Sequence, residues 1–162
     1  MPYSFDFNVI VVSNNPRGRF ESGIIVGTPK PGIVVDLKAT TEPVNGVFSY
    51  VPYTGTDGNR PYGPVCVLCE DRIQGKGITD AYVTGTIGTI YFPLPGDLLL
   101  MQLQDVSGTG DAHTIREKLI IDSTTGQLLV TTGSPQCEPF CCMETIAAPT
   151  GDYWALVQFT GY

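Results

Sequence analysis

The sequence predicts an all-β chain: a β-barrel or β-sandwich of about ten short strands with little helix. Three observations carry this. Glycine (19) and proline (13) are abundant while charge is sparse at 15%, a composition suited to short strands joined by tight turns. Apolar runs of strand length alternate with turn-forming clusters about every 8–12 residues. Helical periodicity is nearly missing. "GDAHTIREKLII" offers at most one helical turn, near Thr114–Lys118, before β-branched residues take over.

The elements follow in order. "FNVIVV" (Phe7–Val12) is an apolar run. "ESGIIVG" (Glu21–Gly27) and "GIVVDLKA" (Gly32–Ala39) flank the turn "TPKPG". "GVFSYVPY" (Gly46–Tyr53) alternates its side chains and meets "TGTDGNR", whose Asp-Gly and Gly-Asn pairs are strong turn chemistry. "PVCVLCED" is the next strand. "YVTGTIGTIYF" (Tyr82–Phe92) carries two glycines, the mark of a bend or bulge. "GDLLLMQLQDV" (Gly96–Val106) follows the turn "PLPGD". "KLIIDSTTGQLLVTTG" (Lys118–Gly133) has the form of a hairpin, and "PFCCMETIA" and "DYWALVQFTGY" close the chain around "APTGD". Residues 1–20 are expected to form an N-terminal arm or first strand, and residues 21–162 a single β-domain or two small lobes.

A net charge of −7 and a pI near 4.4 argue against nucleic-acid binding, which needs a basic excess to displace counterions from phosphate. The same charge disfavours anionic membranes. No apolar run approaches the ~20 residues of a membrane-spanning helix. The first basic residue is Arg17, so the N-terminus lacks the basic start of a secretory signal, and synthesis in the cytoplasm is expected.

All five cysteines fall in "CVLCEDR" (Cys66–Arg72) and "CEPFCCME" (Cys137–Glu144). Cys66-x-x-Cys69 is one half of a thiolate zinc site, but the second half fits poorly. Adjacent Cys141 and Cys142 point to opposite faces of a strand. A thioredoxin-like role needs a helix N-terminus that the chain does not offer. Thiols filling core space as small hydrophobes are therefore expected, with metal and redox roles as alternatives. Cys137, between Pro135 and Pro139, is the cysteine expected to be exposed.

The single histidine, His113, reads as a surface turn residue. Asp97 reads as a turn acid, and Glu70 and Glu144 as strand-end acids rather than a glycosidase pair. "GTGDAH" and "TGTIGT" lack the lysine and helix of a phosphate loop. No catalytic, cofactor-binding or metal-ligating residue is expected. "PVCVLCED" and "PFCCMETI" share Pro-x-Cys-x-[Leu/Met], a weak echo that pairs Cys66 with Cys141 as strand–loop–strand units of one barrel.

In order along the chain, "GTPKPGIVVDLK", "TDGNRPYGPVCVLCED", "DAYVTGT", "PLPGDLLLMQL", "KLIIDSTTGQLL" and "PFCCMETIAAPTGDYWALVQFTGY" resemble the head decoration (capsid cement) proteins of tailed bacteriophages. The likeness runs from about residue 20 to residue 162. It implies a β-barrel or sandwich that binds the outer surface of an icosahedral head as a homotrimer. The partner it implies is the major capsid protein, and the location is the virion. Arg17 and Arg19, on an arm laid across a neighbour, would meet capsid carboxylates. Trp154, Phe159 and Tyr162 would anchor capsid or trimer contacts. The alternatives are another phage structural β-domain, such as a head fibre or a tail or baseplate component, and a small metal-binding or hydrolytic barrel.

Overall fold

The computed structural model describes residues 10–13, 18–38, 43–55, 64–71, 74–105, 112–130, 138–147, 151 and 153–161. These residues are all-β, with eleven strands: β1 (Val11–Ser13), β2 (Arg19–Ile25), β3 (Val34–Leu37), β4 (Ser49–Pro52), β5 (Cys66–Leu68), β6 (Ile87–Phe92), β7 (Leu98–Leu103), β8 (Lys118–Ile121), β9 (Leu128–Val130), β10 (Phe140–Cys142) and β11 (Tyr153–Phe159).

The strands make two closed rings. β2-β4-β3-β5-β6 is one barrel. β7, β9, β8, β10 and β11 form a second, closed by the parallel β7–β9 pair, with β1 added on the edge of β7. Each ring has the same pairing: one parallel contact between its first and third strands, and antiparallel contacts elsewhere.

The likeness extends to register. Ile25 opposes Tyr50 as Leu103 opposes Leu128. Val35 opposes Cys66 as Leu119 opposes Phe140. Leu68 opposes Ile90 as Cys142 opposes Val157, and Glu21 opposes Ile90 as Leu99 opposes Val157. Bonds outside the ladders repeat too. Gly32 N–H donates to Leu68 O at 2.8 Å, and Arg116 N–H donates to Cys142 O at 2.7 Å. Gly32 and Arg116 both hold positive φ, at 86° and 69°. The chain is one five-stranded barrel built twice.

The sequence echo is therefore between equivalent strands of two barrels, not within one, and it is one residue out of step. Cys66 takes the place of Phe140, and Leu68 that of Cys142. Side chains alternate along a strand, so pairing Cys66 with Cys141 would set an inward residue against an outward one.

The second barrel is the better filled. Leu99, Leu128 and Phe140 are fully buried in it, and each such side chain contributes about 1.5–3 kcal/mol by leaving water. Val34, Val67 and Tyr91, which lie outside the first barrel's own core, join this interior in one apolar cluster. Tyr91 O–H donates to Asp97 Oδ2 at 2.6 Å, and Val34 N–H donates to Gly126 O at 2.8 Å. Both bonds lie where β7 and β9 begin, so the first barrel lays an apolar face over that end of the second. Trp154 Nε1 and Gln102 Nε2 both donate to Pro31 O, at 3.1 and 2.9 Å, and fix the barrels side by side.

Two local expectations are corrected. Thr114–Lys118 makes no helical turn. Glu117 N–H reaches Thr114 O at 3.0 Å in a β-turn, Arg116 has positive φ, and Lys118 already begins β8. A left-handed residue ends any right-handed turn. The strand expected over Tyr82–Phe92 is also shorter. Gly85, at φ 88°, sits in a turn, and β6 starts at Ile87.

Candidate functional site: the open end of the first barrel

The described cysteines do not converge on one site. Cys66 lies in the first barrel's core, and Cys69, three residues on, belongs to the cluster shared with the second barrel. Cys142 is fully buried and Cys141 is partly exposed on the same short strand. The four described cysteines are free thiols, and among the described residues no three His, Cys, Asp or Glu side chains come together as metal ligands. Cys137 lies outside the described residues.

The candidate acids serve the backbone. Glu70 accepts from Ile10 N–H at 2.9 Å and so holds the start of β1. Asp97 accepts from Leu94 N–H at 2.7 Å within its turn, and Glu144 accepts from Leu156 N–H at 2.6 Å. Each satisfies a donor that burial would otherwise leave costly.

His113 departs from expectation. It is 1% exposed, paired with Ile146 in an isolated bridge, with Nδ1 3.0 Å from Glu117 Oε2. Its Nε2 is buried without a hydrogen-bond partner among the described residues. Its Gly and Asp neighbours at 108–111 lie outside the described residues. The bridge to Ile146 is a long-range contact that local composition cannot signal.

A cleft of about 670 Å³ lies at the end of the first barrel where β2, β4 and β5 begin and β3 and β6 finish. Tyr50 and Cys66 form its floor. Phe48, Leu37 and Phe92 form apolar walls, and Arg19, Glu21, Asp36 and Lys38 bring charge. Arg19 Nη2 pairs with Glu21 Oε1 at 2.8 Å, and its guanidinium lies 4.5 Å from the Phe92 ring centre. Tyr50 O–H donates to the other Glu21 oxygen at 3.3 Å.

Burial, helped by the nearby Asp36 and Glu21 carboxylates, pushes the Cys66 thiol up to about 12. Burial also raises Tyr50 to about 12, with the charges of Cys66 and Glu21 adding to it. Burial raises the Asp36 carboxyl, against a hydrogen bond from the Thr54 backbone. A thiol held that high stays protonated at neutral pH and is a poor nucleophile.

Of the residues expected at contacts, Arg19 stands on this rim. Phe159 is buried against Phe140, ring centres 5.4 Å apart, and Trp154 joins the two barrels. Arg17 and Tyr162 lie outside the described residues. The residues that sequence reasoning passed over are Leu37 and Phe48, which are 50% and 45% exposed. On paper they belong to alternating strands whose apolar face is expected inside.

No family model and no curated protein matches the chain.

Proposed function

We propose that this is a virion structural protein that binds the outer surface of an icosahedral phage head, as a homotrimer, and stabilises the capsid. The observation that supports it best is the apolar rim at the open end of the first barrel, where Leu37 and Phe48 are exposed. Apolar surface of this kind is what an attachment protein presents to a host surface. The ordered resemblance over residues 20–162 supplies the class of host. A net charge of −7 fits an outward position, away from packaged DNA. Binding several capsid subunits at once from a three-fold position would stabilise the shell through multivalency, without chemistry.

Cosedimentation with expanded empty heads of the encoding phage tests this. Saturable binding that raises the temperature at which the heads fall apart is the expected result. Heads that sediment without the protein at micromolar concentration would sink the proposal.

A further inference from the structure

The two barrels share one plan, so each position in one has a counterpart in the other, and the differences between counterparts carry information. At the end where β7 and β9 begin, the second barrel places Leu99, Ile121, Leu128 and Phe140, all buried. The counterparts in the first barrel are Glu21, Leu37, Tyr50 and Cys66. Leucine has become a carboxylate and phenylalanine a thiol. That end is left as the cleft of about 670 Å³, a volume typical of binding sites.

A second contrast shows what belongs there. The second barrel's end is covered by Val34, Val67 and Tyr91 from the first. The first barrel's end has no such cover within the described residues. A second copy of this chain does not offer one by repeating the arrangement. The second barrel's counterparts of Val34, Val67 and Tyr91 are Lys118, Cys141 and Gln158, too polar to serve. A free small molecule would occupy the cleft and leave the outer parts of Leu37 and Phe48 exposed around it.

We propose that the open end of the first barrel is a docking site for a polypeptide of another protein, which inserts a large apolar side chain between Tyr50, Cys66 and Phe92 and covers the rim at Leu37 and Phe48. The inserted group does for this barrel what Phe140 does for the other. This goes beyond shell attachment, because it specifies the site and the large apolar side chain that the partner polypeptide inserts there.

The test is backbone-amide NMR of the full chain titrated with N-acetyl-phenylalanine amide, N-acetyl-alanine amide and toluene. The phenylalanine amide is expected to shift the amides of Glu21, Tyr50, Cys66 and Phe92 saturably, and the alanine amide is not. Cys66→Phe, which installs the counterpart residue, should abolish the shifts. Phe48→Ser, at an exposed rim position that does not threaten folding, should weaken binding about tenfold, roughly the affinity change of one lost apolar contact. Absence of phenylalanine-specific shifts, or shifts unchanged in Phe48→Ser, would overturn the proposal. Tighter binding of toluene than of the amide would assign the site to a free arene and overturn it too.

Discussion

Gly126 occupies a point where the two barrels touch. Its φ is 72°, and a Cβ there would stand 2.2 Å from the carbonyl oxygen of Val34. The strain and the clash act together, so Gly126→Ala is expected to cost about 2 kcal/mol or more, measured as a lower midpoint in urea unfolding. Cys66 makes a different demand. Its thiol, ordinarily near 9.0, is raised to about 12. Below the lower value both states are protonated and the buried thiol contributes fully. Between the two values the unfolded chain releases its proton first, so stability falls as pH rises through this window. Thermal unfolding from pH 8 to pH 12 should show that decline, with a shallower slope in Cys66→Ala. An unchanged slope would place the alkaline sensitivity elsewhere. The core role of this thiol was legible in "PVCVLCED", because cysteine inside an apolar strand behaves as a small hydrophobe. Its place at the floor of an open cleft was not, because that depends on what the barrel's other strands omit.

At the scale of elements, the two barrels are each other's control. The turn before β3 meets its φ of 86° with Gly32, whereas the equivalent turn before β8 uses Arg116 at 69°. A non-glycine residue there carries about 1–2 kcal/mol of strain, partly offset by the greater chain entropy that glycine loses on folding. Arg116→Gly is thus expected to raise stability by up to about 1 kcal/mol, visible as a higher thermal midpoint. The reverse change, Gly32→Arg, meets Trp154 Nε1 at 2.9 Å and Leu100 O at 3.0 Å and should be strongly destabilising. The strands themselves were largely legible from alternation and turn chemistry. The hairpin β8–β9 closes as "DSTTG" foretells, with Asp122 Oδ1 accepting from the N–H groups of Thr124 and Thr125 at 3.0 and 2.6 Å. The ring order was hidden, because β2–β4 and β7–β9 are parallel and their partners lie far apart in sequence. The same distance hid the duplication: the equivalent loops differ in length, and the surviving sequence echo lies one residue off the true register.

At the scale of the whole molecule, the first barrel covers one end of the second, and among the described residues nothing covers its own end, on a chain of net charge −7. The proposed attachment role calls for a packed body and an exposed apolar surface. The proposed trimer, a cyclic assembly suited to a three-fold site, should give about three chain masses by light scattering coupled to size exclusion. Leu37→Glu, which places charge on the rim without disturbing the core, should weaken binding to heads about tenfold or more while leaving the thermal midpoint unchanged. The most direct measurement is electron cryomicroscopy of expanded empty heads with and without the added protein. Extra density on the outer surface at three-fold positions, fitted by three copies of the two-barrel chain, is the expected result. Heads whose surface stays bare at saturating protein would contradict it.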